Sequence, residues 1–407
     1  MRLIECYTDS HVDNLSACLR LKPRELVMVG CGEAMAGTVQ RYRRLLRGRG
    51  LDTRVTLCDV GGLPFAQLCP VLGKLVCRDE ECVIDLTGGD ETVILAVGAV
   101  LAKLASEGCS HVRVERQDHD TGFVWDCVTD ACLGDAGEVS FSVEELVALH
   151  GGSIQPGSWQ PPAGVNVRDI QKLWQMVCDS PKAWNKSMML LSEFESRAES
   201  KNQVYLPLGH IRGRISDFDR KERELRELLG QFQKLGVVDD RSTRDCLAYT
   251  YRSELMRHCT QKAGNMLEIK TLLEGRDAEN AGKPFFGDCR MGVSIDWDGV
   301  VNPPRDRIPE TRNEIDVVLM HGTTPLFISC KNGNIGEEEL YKLHTVATRF
   351  GGPHARKMLI ATELDRKSVS ANRAFIQRAW DMDIFLVTDG AQLAREEWAE
   401  VLRQAVK

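Results

Sequence analysis

Nowhere does the 407-residue sequence hold an apolar run near the ~18 residues that a membrane-spanning helix requires. Its first residues, MRLIECYTDS, lack the long apolar stretch and cleavage site of a secretory leader. There is no CxxC pair. The closest couples, Cys77/Cys82 and Cys127/Cys132, fit no common zinc spacing. Bulk basicity is missing too. Residues 1–150 carry 15 Lys and Arg against 23 Asp and Glu, residues 151–240 carry 13 against 12, and residues 241–407 carry 24 against 24. These absences argue against a membrane protein, a zinc module and a protein that coats nucleic acid nonspecifically. Any nucleic-acid contact must be local. The 15 cysteines are odd in number, scattered and mostly set in apolar runs, as at Cys6, Cys58 and Cys82. That pattern suits reduced thiols and a cytoplasmic location.

What is present is length and alternation. At roughly 100–200 residues per domain, the chain predicts two or three domains. Strand-like runs at Arg2–Tyr7, Glu25–Gly30, Asp52–Val60, Cys82–Leu86 and His111–Glu115 alternate with helical spacing at Asp13–Leu21, Ala34–Arg47, Pro64–Leu75 and Glu91–Ser106. Alternation of this kind predicts βαβ units, and unbroken apolar strands predict a parallel sheet covered on both faces. Residues 118–142 read as a hairpin excursion, and Ser142–His150 as a short capped helix. The Gly- and Pro-rich stretch Gly151–Gly164 reads as a linker. A helical region over 166–235 follows. From Cys246–Tyr251 onward, strands and helices mix again. Leu255–Leu273 reads helical with an interruption at Gly264, and Gly292–Trp297, Glu314–Met320 and Pro325–Cys330 read as successive strands. The expected division is 1–150, 151–245 and 246–407.

Two loops leave the carboxyl ends of the first and fourth strands. They are Thr8-Asp9-Ser10-His11 and Thr87-Gly88-Gly89-Asp90-Glu91, the second running into a helix. Open parallel sheets bind ligands at such ends, and a Gly-Gly turn before a helix lets backbone amides approach an anion. The bland alternative is a tight strand-to-helix turn. Gly30 and Gly32 resemble the start of a dinucleotide fingerprint, but the next glycine is Gly37 and the loop follows the second strand. NAD binding is therefore disfavoured.

The loop YTDS, the motif IDLTGGDE and an elongated helical connection resemble the CARF family, the resemblance covering about residues 1–150. The resemblance implies a Rossmann-like sensor of cyclic oligoadenylate, commonly cyclic tetra-adenylate, acting as a homodimer. It implies contacts from Thr8, Asp9, Ser10, Thr87, Gly88, Gly89, Asp90 and Glu91. Family members often read N-L-T-G-G-T-K after the fourth strand. Here Asp85 stands for the Asn, and Asp90 and Glu91 replace the Thr-Lys, so backbone amides must carry more of the phosphate contact.

Phosphodiester cleavage with Mg²⁺ or Mn²⁺ uses oxygen ligands, a nearby lysine and a polarised water. The segment NEIDVVLMHGTTPLFISCKNGN offers Asp316 on one strand and Lys331 at the end of the next, after Glu268 on a helix. Helix with Glu, strand with Asp, strand ending in Lys, then helix resembles the PD-(D/E)xK nuclease core. Ser329 stands where that pattern has an acid. Glu268, Asp316 and the Cys330 backbone carbonyl would hold one ion better than two, with Ser329 a neutral, weaker ligand. Glu314 and Asp296 are possible further acids, Glu314 being expected on the same strand face as Asp316. The acids Glu337–Glu339 on the next helix are candidates to face the site. The Cys330 thiol reads as a buried apolar group, and His321 as a surface turn residue.

The combined order resembles CRISPR-associated sensors that join a CARF domain to a restriction-endonuclease-like domain. It implies a cyclic-oligoadenylate-activated, metal-dependent endonuclease cleaving DNA, RNA or both. Two other readings remain open: a sensor whose nuclease-like domain no longer cuts, and a regulator in which residues 205–250 form a winged-helix DNA reader.

Overall fold

The computed structural model describes residues 1–76, 80–109, 111–118, 121–135, 139–299, 312–333, 335–364 and 369–407. Cys77 lies outside the described residues. The first part runs β1 (Arg2–Cys6), α1 (Asp13–Leu21), β2 (Glu25–Gly30), α2 (Gly32–Gly48), β3 (Arg54–Asp59), α3 (Phe65–Leu75), β4 (Cys82–Asp85), α4 (Glu91–Ser106) and β5 (Val112–Gln117). The hairpin β6 (Phe123–Asp126) and β7 (Cys132–Asp135) follows, then α5 (Val143–Leu149). One sheet takes all seven strands in the order β3-β2-β1-β4-β5-β6-β7. Its first five strands are parallel, and β6 and β7 join antiparallel.

Every residue of β2 and β4 is buried because helices cover both faces. Leu3, Leu26, Met28 and Val83 pack with α1 and α2 residues such as Leu15 and Tyr42. Their alternates Ile4, Val27, Val29 and Ile84 pack with α3 and α4 residues such as Leu72 and Val97. The strand order reverses between β1 and β4, which makes their carboxyl ends the crevice of the sheet. Ser142 and Glu145 form the expected capping box of α5.

The stretch read as a linker does more than connect. Ser153–Ile154 forms β8 and pairs antiparallel with Ile295 and Asp296 of the last part of the chain. The middle part then runs α6 (Val167–Asp179), α7 (Pro181–Glu195), β9 (Gln203–Pro207), α8 (Leu208–Ile211), α9 (Phe218–Leu235), β10 (Val238–Asp240) and β11 (Cys246–Tyr251). Its sheet has the order β10-β11-β9, all antiparallel. Helix, strand, two helices and a returning hairpin is winged-helix topology.

The last part holds α10 (Glu254–Gln261), α11 (Asn265–Asp277), the small pair β12 (Glu279–Asn280) and β13 (Lys283–Pro284), β14 (Asp288–Asp296), β15 (Arg312–His321), β16 (Thr324–Lys331), α12 (Glu338–Gly351), β17 (Arg356–Ala361), α13 (Val369–Asp381), β18 (Ile384–Val387) and α14 (Arg395–Gln404). The helix expected over Leu255–Leu273 is two helices. Gly264 ends the gap between them, and the Asn265 side chain donates to the His258 carbonyl at 3.0 Å, satisfying one acceptor at the end of α10. The sheet order is β18-β17-β16-β15-β14-β8. The strands β14, β15 and β16 meander antiparallel, and β16, β17 and β18 are parallel.

One core joins α1, α2 and α5 to α12, through Leu15, Tyr42, Leu146, Leu343 and Phe350. Another joins the winged-helix part to α11, through Trp184, Leu229, Phe232, Leu267 and Leu272. Among the described residues, every cysteine is a free thiol and no helix is long and apolar enough to cross a membrane.

Candidate functional site

Two strand ladders break at the same residue. Pairing of β15 with β16 stops at Val317↔Ile328, while β16 continues along β17 to Lys331↔Ala361. The strands therefore splay beyond Val317, leaving a wedge. On the other side of β15, the register passes from Met291↔Val317 to Val293↔Ile315. Gly292 falls between, with φ of +57°, a conformation that favours glycine. The apolar residues change side across this kink. Val317 and Leu319 pack into the core with α11, but Ile315 packs into the core with α12. Asp316 sits at the kink and at the mouth of the wedge.

The wedge collects most of the expected residues. The Asp316 carboxylate accepts the Cys330 amide at 2.7 Å and the Ser329 hydroxyl at 3.3 Å. The Lys331 ammonium lies 3.6 Å from the same oxygen and 3.0 Å from Glu339 on α12. Because Cys330 donates its N–H into the wedge, its carbonyl points to the same side. The Cys330 thiol points away, to Thr271 on α11 at 3.6 Å, and burial pushes it well above the usual thiol range. It is no nucleophile.

Glu268 approaches from α11. Burial, then the nearby Asp316 and Glu314 carboxylates, push its pKa up to about 8. Burial alone would lower the Lys331 ammonium, but Asp316 and Glu339 outweigh it and the net is a rise. Glu339 is pushed up by burial and pulled below its ordinary value by Lys342 and Lys331. It is the one residue of the Glu337–Glu339 group that touches Lys331.

Two expected extra acids sit differently. Simple alternation put Glu314 on the face of Asp316. Glu314 is exposed, and together with Asp316 it raises the buried Glu268 carboxyl, so both acids lie on the Glu268 side. Asp296 is 2% exposed, at the far end of β14 beside Ser153. His321 is exposed as expected, and stacks on Phe285. Among the described residues, no three His, Cys, Asp or Glu cluster as a ready-made metal cage. The donors are instead two carboxylates, a hydroxyl and a backbone carbonyl. This all-oxygen set fits Mg²⁺ or Mn²⁺, which usually keep several waters and use one or two carboxylates. A carboxyl pushed up to about 8 by burial, with two neighbouring acids adding to the rise, is also a place where a cation relieves repulsion.

Sequence reasoning missed the polar support of the strand end. Asn332, just past Lys331, accepts from Thr362 at 2.7 Å and donates to Ala263 O at 3.1 Å. Asn185 on α7 donates to Asn332 O at 3.1 Å. No local signal tied these distant residues together.

At the crevice of the first sheet, the Gly88-Gly89 loop lies against the loop that begins at Thr8. A Cβ at Gly88 would stand 2.4 Å from Thr8 Cγ2, and one at Gly89 would stand 2.5 Å from Cys6 Cβ. Gly89 also has φ of +123°. The loop after β4 can lie against the loop after β1 only without side chains at these two positions.

Some of the expected contact groups serve the fold. The Asp90 carboxylate caps α4, accepting from Thr92 N at 2.9 Å and Val93 N at 3.4 Å. Thr87 gives its amide to Asp85 at 2.6 Å, and its hydroxyl oxygen accepts from Gln117 N at 2.9 Å. Ser10 is buried and accepts the Asp13 amide at 3.3 Å. Thr8 N donates to Asn14 at 2.9 Å. Asn14 in turn donates to the Tyr42 hydroxyl, which meets His11 at 3.0 Å. Asp9 and Glu91 are exposed, and Gly88 and Gly89 are partly exposed. The disfavoured fingerprint at Gly30–Gly37 is filled from within, since Asp59 accepts the Gly32 and Gly61 amides at 2.9 and 3.0 Å.

Beneath the loops lies a buried acidic ladder that was legible but unread. Glu5, Asp85 and Glu115 are paired across β1, β4 and β5. Arg20 and Arg113 satisfy Glu115. Among the described residues, neither Glu5 carboxyl oxygen has a hydrogen-bond partner, and burial holds this acid well above the usual range. Burial likewise raises Asp85 to about 6. A raised carboxyl weakens the fold as pH climbs from its unfolded value to its folded one. Asp85→Asn keeps an acceptor for Thr87 and has no proton to lose. It should stabilise the protein by about 3 kcal/mol at pH 7.5, with the gain vanishing near pH 4. Urea melts across that range check it, and a gain that does not change with pH would sink the assignment.

Neither a family model nor a curated protein matches the sequence. Solved structures do match its fold. Protein VC1899 from Vibrio cholerae gives a TM-score of 0.73 over 100% of this chain and 97% of its own, at 16% identity. Can2 from Sulfobacillus thermosulfidooxidans, solved with cyclic tetra-adenylate, gives 0.64 over 100% and 97%, at 15% identity. A type III CRISPR defence DNA nuclease activated by cyclic oligoadenylate gives 0.50 at 15% identity, over 90% of this chain and 46% of its own. The likeness is one of fold, and in the first two it runs the length of the chain.

Proposed function

We propose that the protein is a cyclic-oligoadenylate-responsive nuclease of type III CRISPR defence, with residues 1–150 as sensor and 246–407 as nuclease. The observation that carries this is the convergence of Glu268, Asp316, Ser329 and Lys331 on one strand wedge, in a chain whose fold matches Can2, solved with cyclic tetra-adenylate, along its whole length and a type III CRISPR DNA nuclease over 90% of this chain. Two chains pair through their sensor parts and place two copies of the Thr8–Ser10 and Thr87–Glu91 loops around one cyclic tetra-adenylate ring.

Glu268 and Asp316 would hold Mg²⁺ or Mn²⁺, which when bound would supply Lewis acidity at the phosphoryl group and an activated water. Asp316 is aimed by the Cys330 amide and the Ser329 hydroxyl. The Lys331 ammonium, kept charged by Asp316 and Glu339, stabilises the negative charge that develops on the phosphate. The helix α12 spans both sites. Its start carries Glu339, and just past its end His354 meets Asp13 of α1 at 2.7 Å. A ring that favours one position of α1 has a solid route to Lys331.

The test mixes the protein with Mn²⁺ and labelled single-stranded RNA, single-stranded DNA or supercoiled plasmid, with and without cyclic tetra-adenylate. Cleavage needing both activator and metal supports the reading and names the substrate. Cleavage unaffected by EDTA sinks it. The serine at 329 favours one second reading, a sensor that no longer cuts. Cleavage that appears only in Ser329→Glu selects that reading.

The sensor half has its own test. Gly88→Ala puts a methyl group against Thr8 and parts the two loops. Activator affinity should fall at least about tenfold, the ~1.4 kcal/mol expected for a lost amide contact. Titration calorimetry measures it, and circular dichroism checks the fold. Unchanged affinity would move the activator away from these loops.

A further inference from the structure

A broad groove among the described residues lies outside both sites. It has a volume of about 1020 Å³ and opens over the outer face of the β9–β11 sheet. Alternation in β9 buries Val204 and Leu206 and turns Gln203 and Tyr205 outward. Tyr205 is 65% exposed. Its cross-strand partner is Ala248, too small to cover a ring. A bare tyrosine on a sheet face, beside an alanine, is a stacking platform without a stack.

The charges around it are unusual for this part of the chain. Along α9 and nearby, cations are consumed by carboxylates. Arg220 pairs with Asp217 and Glu224, Arg226 with Glu222, Arg212 with Asp219, and Lys221 with Glu193. The helix that would enter a major groove in a winged-helix reader is therefore largely self-neutralised.

The groove is different. Arg197, Arg214 and Arg241 line it, against the single acid Glu199. Among the described residues none of the three has a carboxylate partner. The Arg197 guanidinium donates only to neutral oxygens, Ser196 Oγ and Arg214 O. Three uncompensated guanidiniums around one bare aromatic ring match the two repeating features of a single nucleic-acid strand, its phosphates and its base faces.

The groove also has a fixed relation to the wedge. Near the start of α7, Asn185 donates to Asn332, next to Lys331, and at the end of α7 Ser196 joins the groove wall. Eleven residues of helix separate them, about 16 Å at 1.5 Å per residue.

We propose that the sheet face around Tyr205, with Arg197, Arg214 and Arg241, binds a single-stranded segment of the nucleic acid that is cut in the wedge. The proposal rests on the nuclease reading for the identity of its ligand. It also assigns the winged-helix part a job that uses its sheet and not its helix.

The test is fluorescence anisotropy of the full chain with fluorescein-labelled 20-mers in EDTA, where nothing is cut. The ligands are single-stranded DNA, single-stranded RNA and duplex DNA, each with and without cyclic tetra-adenylate at several salt concentrations. Single strands should bind more tightly than the duplex. Tyr205→Ala should weaken single-strand binding about tenfold, and Tyr205→Phe should restore it. The triple change of Arg197, Arg214 and Arg241 to Gln should flatten the salt dependence by about 2 in log–log slope. Tighter binding of the duplex, or affinity unchanged in Tyr205→Ala, overturns the proposal. The two readings fail separately. Asp316-dependent cleavage with binding indifferent to Tyr205 removes only the groove. Tyr205-dependent binding with no cleavage removes the nuclease and leaves the groove.

Discussion

Asp316→Asn should abolish cleavage, with kcat down by about 10³-fold or more, the several kcal/mol that a metal-centred charge contributes. Asparagine is a sharper probe than alanine here. Its amide oxygen still accepts the Cys330 N–H, so the strand end and the Ser329 contact can persist. What disappears is one of the two carboxylate charges available to a cation, and one of the two anions that keep Lys331 charged. Cyclic tetra-adenylate binding should be untouched, because the loops proposed to hold it lie on a different sheet. Lys331→Met should give a loss of similar size by removing the ammonium while leaving the acids. A gel assay with activator and Mn²⁺, run beside activator titrations, reads both. Full activity in Asp316→Asn would show that the wedge is not where cleavage happens.

The parts of this site that were legible came from local chemistry. Asp316 and Lys331 stand on apolar runs of strand length, and Glu268 on a helical one, so their order along the chain could be read directly. The same holds for the first sheet, where strands buried on both faces need unbroken apolar runs and display them. Illegible were features made by backbone irregularity or by distance. The kink at Gly292, across which the apolar residues of β15 change side, is invisible to two-residue alternation. Asn185 reaches Asn332 across 147 positions. The Ser153–Ile154 strand is too short and too rich in flanking glycine to signal a strand before its partner β14 is known. The acidic ladder is a different kind of miss. Glu5, Asp85 and Glu115 each sit near the carboxyl end of an apolar strand, a recurrence visible in the sequence once the three strands are set side by side.

Glu268 makes the remaining large effect a matter of pH. Its carboxyl is pushed up to about 8 by burial, then by Asp316 and Glu314. In the metal-free protein it therefore stays mostly protonated at pH 7. A cation must displace that proton to use the carboxylate, so binding releases about one proton at neutral pH. Apparent affinity for Mn²⁺ should rise about tenfold per pH unit up to about pH 8 and then level off. The stability of the metal-free protein runs the opposite way. Glu268 binds its proton more tightly folded than unfolded, so this group's contribution is full below about pH 4.5 and is lost as pH climbs to about 8. Glu268→Gln cannot ionise. In EDTA at pH 8.5 it should be more stable than the parent by about 4–5 kcal/mol, with little difference at pH 4.5, while its Mn²⁺ binding collapses at every pH. Calorimetric titration at pH 6, 7 and 8 in buffers of different ionisation enthalpy counts the proton, and urea melts in EDTA follow stability. A metal affinity flat from pH 6 to 8, with no proton released, would mean that Glu268 is already ionised and that the crowding of acids in the wedge is not what tunes the site.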